Sequence, residues 1–257
     1  MTRMNIGLQM YTLREALAED FEGTLRKVAA IGYEGVEFAG YGGMDANSLK
    51  NLLDELQIKA IGSHVPLTSL LERLDEEIEY MKVIGGKYIV CPWLPVDERD
   101  EAAWEGHVEA FRKIGEKVAA AGLVFAYHNH DFEFHVKMDG QPVFDALYSK
   151  IDAAHLQVEM DIGWVQYAGN DPLAYIRKYS GRLPLLHLKD YQDGSFEQSA
   201  IATVELGRGK LALNDIIQVA EESEVEWIIV EQDICMNPPL EAVAESFEWV
   251  KNNYMNK

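Results

Sequence analysis

A chain of 257 residues with 48% hydrophobic and 26% charged residues has ordinary globular composition and enough length to bury a large core without disulfides. Its 43 acidic residues outnumber the 23 basic ones, and the formal charge of −20 repels phosphate backbones and anionic membranes, which argues against nucleic acid or membrane as a partner. No apolar run approaches the roughly 18 residues of a membrane span. Met1–Met4 leads into a strand-like segment without the charged and apolar regions of a signal peptide, so the expected location is cytoplasmic. Cys91 and Cys235 lie far apart in sequence and read as reduced, buried thiols.

Short β-rich segments alternate with longer helical patterns along the whole chain. The expected strands are Ile6–Tyr11, Gly35–Phe38, Ala60–His64, Tyr88–Pro92, Val124–His128, Leu156–Asp161, Leu185–Lys189 and Trp227–Glu231. Segments such as Tyr88-Ile89-Val90-Cys91 and Trp227-Ile228-Ile229-Val230 are continuously apolar, as parallel strands buried on both faces require. Between them, Phe21, Leu25, Val28 and Ile31 mark one face of a helix over Phe21–Ile31. The stretches Leu70–Ile84, Ala102–Ala120, Leu213–Glu222 and Leu240–Asn252 read the same way. Glycines at Gly32, Gly85-Gly86 and Gly122 suit left-handed helix ends, and Asn170-Asp171-Pro172 suits a capped helix start with proline in its first turn.

Eight strands alternating with about eight helices imply a parallel sheet. A doubly wound open sheet usually carries a glycine-rich loop after its first strand. Here that loop reads Met10-Tyr11-Thr12-Leu13-Arg14, so the expected fold is a single-domain α/β protein, a (β/α)8 TIM barrel over residues 1–257. The length agrees, because such barrels run to roughly 250 residues.

In that architecture the C-terminal ends of the strands converge on the active site. Those ends carry Tyr11, Glu37, His64, the Cys91-Pro92-Trp93 corner, His128, His130, Asp161, His187, Lys189 and Glu231, with Glu133 further into the fifth loop. Asp161, His187 and Glu231 follow the runs Leu156–Met160, Pro184–Leu186 and Trp227–Val230, which read as apolar. Burying two carboxylates and an imidazole side by side costs several kcal/mol unless each is compensated. One divalent ion would compensate all three, and mixed oxygen and nitrogen donors suit Mn, Co, Zn or Mg.

The segments Tyr127-His128-Asn129-His130, Met160-Asp161-Ile162-Gly163-Trp164, His187-Leu188-Lys189-Asp190 and Val230-Glu231-Gln232-Asp233, in this order and spacing, resemble the sugar phosphate isomerase/epimerase family of xylose-isomerase-like barrels. The resemblance implies one metal held by Glu, Asp, His and Glu from the fifth to eighth βα units. Asp161, His187 and Glu231 match the last three. The first departs, since His128 stands where many members carry glutamate; Glu133 is then the preferred fourth ligand and His128 its competitor. The endonuclease branch of the same superfamily needs further histidines where this chain has Trp164 and Cys91-Pro92-Trp93, which sets DNA repair aside.

The chemistry this resemblance implies is proton transfer beside a carbonyl of a small carbohydrate, through a metal-stabilised enediolate. Glu133 and Glu231 are the expected acid/base pair, with Lys189 stabilising the enolate, protonating a leaving hydroxyl or simply pairing with Asp190 or another acid of the rim. His64, His130 and, where it is not a ligand, His128 are expected to orient substrate, and Tyr11, Trp93 and Trp164 to wall it. Glu37 is expected to bond a sugar hydroxyl or pair with Arg14 or Lys189. The stretch Leu206-Gly207-Arg208-Gly209-Lys210 follows the seventh strand, where barrels often bind phosphate, and reads either as that site or as a turn. The leading expectation is an isomerase or epimerase of a keto-sugar. A dehydratase of a keto-inositol or 3-keto-sugar and a non-catalytic sugar-binding barrel are the alternatives, and pairing of helical faces into a homo-oligomer is compatible with each.

Overall fold

The structure, a computed structural model, describes residues 3–193 and 201–256. Eight parallel strands close into a barrel: β1 (Asn5–Gln9), β2 (Gly35–Phe38), β3 (Lys59–His64), β4 (Tyr88–Cys91), β5 (Val124–His128), β6 (Gln157–Asp161), β7 (Leu185–Leu188) and β8 (Trp227–Val230). Each pairs with its neighbours in the chain, and β1 closes on β8 with Leu8 opposite Val230. The expected (β/α)8 barrel is thus the observed fold.

Local differences have local causes. β1 stops at Gln9 because the Gln9 side chain accepts a hydrogen bond from Tyr11 N (3.0 Å) and starts a 3-10 turn over Met10–Leu13, which leaves Tyr11 outside the strand. The helix expected over 70–84 is two, Leu67–Glu72 and Leu74–Ile84, because Arg73 leaves helical geometry (φ −135°) between them. The last helix, Pro239–Val250, runs on as a π turn over Lys251–Met255. Asp171 caps the helix Pro172–Lys178 by accepting from Leu173 N, with proline in its first turn as expected. Gly32 (φ 116°) and Gly85 (φ 77°) end their helices in the left-handed region that a side chain would resist.

The barrel bore is filled from below. Ile61, Tyr88, Val90, Ala126, Leu185, Trp227 and Ile229 form one buried apolar cluster inside it. Glycines on the first three strands make the room. A Cβ at Gly35 would meet the Trp227 ring at 2.7 Å, one at Gly7 would meet Ile61 Cδ1 at 2.3 Å, and one at Gly62 would meet the Tyr88 carbonyl at 2.5 Å. Side chains two residues apart share a face. Gly7, Gly35, Gly62, Ala126, Leu185 and Ile229 on this apolar floor therefore place Gln9, Glu37, His64, His128, His187 and Glu231 in the layer above. A far larger apolar shell lies between strands and helices. Among the described residues no helix is long and apolar enough to cross a membrane.

Two glycines of the helix Glu101–Ala120 test this packing with opposite signs. A Cβ at Gly106 meets nothing within 4 Å, whereas one at Gly115 would sit 1.9 Å from the His155 carbonyl oxygen. Gly106→Ala should raise stability by about 0.5–1 kcal/mol through helix propensity alone, and Gly115→Ala should lower it by about 1–3 kcal/mol through overpacking, as read from denaturant midpoints.

Candidate active site

The strand register brings the polar layer together. Asp161 lies opposite His187, Glu159 lies opposite His128, and Gln9 lies opposite Glu37. Glu37, His128, Glu159, Asp161, His187, Lys189 and Glu231 are all buried. The rings of His128 and His187 stand 4.5 Å apart, and each turns one nitrogen inward and one toward the mouth. His187 Nε2 contacts Glu37 Oε2 (2.8 Å) and Glu159 Oε1, while its Nδ1 is 3.0 Å from Glu231 Oε2. His128 Nδ1 faces Glu159 Oε1 and its Nε2 faces Asp161 Oδ2, both at 3.9 Å. His64 Nε2 lies 3.2 Å from both Glu37 Oε2 and Glu159 Oε1.

Toward the mouth, Lys189 Nζ is 2.8 Å from Asp161 Oδ2, 3.1 Å from Glu231 Oε2 and 2.6 Å from Asp233 Oδ2. Asn129 clamps β5 to β6, its Oδ1 accepting from Asp161 N (3.0 Å) and its Nδ2 donating to the Asp161 carbonyl (3.2 Å). Asp161 Oδ1 accepts from Trp164 N, which caps the following helical turn and aims its other oxygen at Lys189. Above lies a cavity of about 1210 Å³ whose lining includes Tyr11, His64, Trp93, His128, His130 and Trp164, together with Glu231 and Asp233.

Burial and mutual charge set the protonation states. Burial opposes the charge of His187, but Glu159 and Glu231 carry its pKa well above the usual imidazole range. The same contest, with Glu37 and Glu159 as partners, pushes His64 up to about 10. Burial and the neighbouring His187 and His64 hold His128 well below its usual range; burial and Lys189 lower His130 to about 3. Burial would raise Glu231, yet Lys189 and His187 hold it well below the carboxylate range. Burial pushes Asp161 up to about 6 against the pull of Lys189. Lys189 resists its burial through Asp161 and Asp233 and stays charged.

Several expected residues occupy other roles. Glu133, the preferred fifth-strand ligand and acid/base partner, is outside the ligand cluster and does not line the cavity. Its Oε1 accepts from Tyr127 OH (2.6 Å) and its Oε2 from His130 N (2.9 Å), so it braces the loop, and burial lifts its pKa to about 8. The short helix Phe132–His135 that carries it turns the side chain back under the loop, and the fifth-strand position belongs to His128. Glu37 sits beneath the cavity and pairs with Gln9 (2.7 Å), His64 and His187 rather than with substrate, Arg14 or Lys189. Lys189 pairs with Asp161, Glu231 and Asp233, not Asp190.

Asp190 instead fills the glycine loop. Its carboxylate accepts from the backbone N–H groups of Gly207 (3.0 Å), Gly209 (2.8 Å) and Leu211 (3.2 Å), and a Cβ at Gly209 would meet its Oδ1 at 2.0 Å. The nest that barrels use for phosphate is closed here by a carboxylate of the chain itself. Glu159 has no signal of its own in the sequence because apolar residues flank it on the strand; its spacing of two from Asp161 is the pattern that places both on one face. Asp233 and Asn129 stood in the motif segments without a role. Arg14, Arg73 and Arg99 also line the cavity, with the Arg99 guanidinium 3.7 Å from the Phe132 ring centroid.

His128, Asp161, His187 and Glu231 each offer a ligand atom, all within 4.8 Å of one another. Two carboxylates and two imidazoles from four successive strands fit a divalent ion, with the donor mixture of a Zn, Mn or Co site. Residues 25–253 match the family model described as xylose isomerase-like TIM barrel. The chain belongs to that family. An inosose dehydratase of Clostridium beijerinckii is 25% identical over 90% of this chain and 89% of its own length. A sugar phosphate isomerase/epimerase from Parabacteroides distasonis superposes with a TM-score of 0.81 at 22% identity, covering 100% of this chain and 96% of that one. The IolI protein, whose crystal structure holds a zinc atom, superposes at 0.76 with 14% identity over 98% of this chain and 99% of its own. At these identities the two structures speak to fold alone.

Two outcomes follow. Asp161→Asn should abolish binding at this site, whereas Glu133→Gln, which keeps a polar partner for Tyr127 and His130 N, should leave metal content per chain unchanged by elemental analysis. Asp190→Ala, which removes the acceptor of four backbone N–H groups (Tyr191, Gly207, Gly209 and Leu211), should cost about 2–4 kcal/mol of stability in denaturant unfolding.

Proposed function

We propose that the chain is a dehydratase of a small, uncharged polyhydroxy ketone of the inosose or 3-keto-sugar type, removing a proton beside the carbonyl and then the neighbouring hydroxyl as water. A divalent ion held by His128, Asp161, His187 and Glu231 would polarise the carbonyl and acidify the adjacent C–H. Glu231 is the base: it is held ionised and lines the cavity, and because His187 and Lys189 engage its Oε2, Oε1 is the oxygen free for substrate. The Lys189–Asp233 pair beside it supplies the proton that turns a poor leaving group, hydroxide, into water. His64, His130 and Arg99 face the cavity and would orient hydroxyls, with Tyr11, Trp93 and Trp164 as walls.

The observation that carries this reading is an asymmetry. A two-base epimerisation needs matched groups on both faces of the substrate, yet Glu231 and Asp233 come from the end of one strand. The fifth-strand position across the mouth holds His128 and His130, kept neutral, in place of a carboxylate. One ionised base beside one ammonium-backed acid suits elimination. The full-length similarity to an inosose dehydratase supports the same choice, and the closure of the glycine nest by Asp190 supports a substrate without phosphate. Epimerisation is the second reading, favoured by His130, a neutral imidazole at the cavity that would serve as the second-face group.

Incubating the metal-loaded protein with inososes and 3-keto-sugars in deuterated water, followed by NMR, separates these readings. Loss of water to a dicarbonyl or unsaturated product is the expected result. An epimer carrying solvent deuterium would move the assignment to the second reading, and neither product nor exchange across the panel would make it a binding barrel. Glu231→Gln should lower kcat/KM by about 10²–10⁴-fold with the fold intact by circular dichroism.

A further inference from the structure

Beneath the outer ligand set lies a second convergence, which shares His187 with it and brings in Glu37 and Glu159, carboxylates that neither the family resemblance nor the proposed reaction uses as ligands. Glu37 Oε2 and Glu159 Oε1 each contact both His64 Nε2 and His187 Nε2 in the bore, and His64, His128, Glu159 and His187 offer ligand atoms within 4.8 Å of one another. The two contacts of His64 are 3.2 Å, that of His187 to Glu37 is 2.8 Å, and that of His187 to Glu159 is closer still. A tetrahedral ion with bonds of about 2.0–2.1 Å holds its ligands about 3.3 Å apart. We propose that Glu37, His64, Glu159 and His187 form an inner tetrahedral site for a Zn²⁺-type divalent cation, which shares the His187 ring with the outer set of His128, Asp161, His187 and Glu231.

Three further features point to a ligand at that place. Glu37 Oε1, Glu159 Oε2 and His128 Nδ1 are buried without a hydrogen-bond partner, and His128 Nδ1 faces Glu159. Two imidazolium rings would neutralise the two carboxylates but would leave all three atoms unsatisfied in an apolar shaft, which is costly. A cation between Glu37 Oε2 and Glu159 Oε1 supplies the positive charge that the second oxygens lack and lies on the side that His128 Nδ1 faces. The charges divide accordingly. With the inner site alone filled, Glu37 and Glu159 balance its dication with His64 and His187 neutral; Asp161, Glu231 and Asp233, offset by Lys189, carry the charge that draws a second. Two nitrogen and two oxygen donors with no open position are the pattern of a site that holds the fold, while the outer set, at the cavity, keeps room for substrate. With both sites filled, the His187 ring would bridge them, Nε2 inward and Nδ1 outward, after releasing its ring proton to solvent.

The test uses the full chain, stripped with chelator and titrated with Zn²⁺ or Co²⁺, beside Asp161→Asn, Glu159→Gln and the double variant Glu37→Gln/Glu159→Gln. Wild type should bind two equivalents, one of them giving Co²⁺ the intense visible absorption of a tetrahedral site. Glu159→Gln should lose one equivalent together with that absorption, and Asp161→Asn should lose the other and keep it. A single equivalent lost only with Glu159→Gln would support the inner site and remove the outer one. A single equivalent lost only with Asp161→Asn would overturn the inner site and leave the proposed function standing. Should the variants not fold, anomalous diffraction from wild-type crystals grown with Zn²⁺ decides: a peak among these four atoms supports the proposal, and density confined to the outer set, or none, overturns it.

Discussion

Among the described residues, five carboxylates (the buried Glu37, Glu159, Asp161 and Glu231 and the half-buried Asp233) crowd the upper bore of this barrel with the ammonium of Lys189 among them, and the rest of the site is arranged around that excess of negative charge. In water such groups would repel weakly; in an apolar shaft each needs a partner or a proton. The three histidines between them are the adjustable element. His64 and His187 are driven toward the charged form by their carboxylates, against the effect of burial, while His128 is driven away from it by burial and by the other two rings. A divalent cation resolves the same imbalance by a different route, letting the imidazoles serve as neutral donors.

The apolar floor makes this layer possible. Trp227, Tyr88 and Ile61 fill the lower bore only because Gly7, Gly35 and Gly62 yield the volume. That plug excludes water from below, strengthens each ionic contact above it and leaves the cavity at the mouth as the route in. Packing at the bottom of the barrel and electrostatics at the top are therefore one construction, linked by the period of two along each strand.

Much of this was legible in the sequence, for a physical reason. The strands were visible as apolar runs buried on both faces, and polar residues that interrupt or end such runs must have compensation, which singled out Asp161, His187 and Glu231. What stayed hidden depended on chain direction after the strands end. Glu133 carries a suitable side chain five residues past the end of β5, but a one-turn helix folds it back against Tyr127, and no local pattern announces that. Glu159 was obscured by the apolar residues on either side of it. Asp190 lay in a motif read for its neighbours; its contact with Gly207 and Gly209 spans 17 and 19 residues, beyond the reach of spacing arguments.

If a divalent cation is what balances the buried charge, stability and metal must be linked. The most direct measurement is thermal unfolding of the chelator-stripped protein against increasing free Zn²⁺, Co²⁺ or Mn²⁺, without a metal-binding tag. A cation bound only by the folded state adds about 2.7 kcal/mol at a hundredfold excess over Kd, a rise of roughly 5–10 °C for a chain of this size. A midpoint that climbs with the logarithm of metal concentration and falls back on chelation is the predicted result. Superimposable melts with and without each ion would contradict the account and leave the histidines and Lys189 as the counter-charges in the bore.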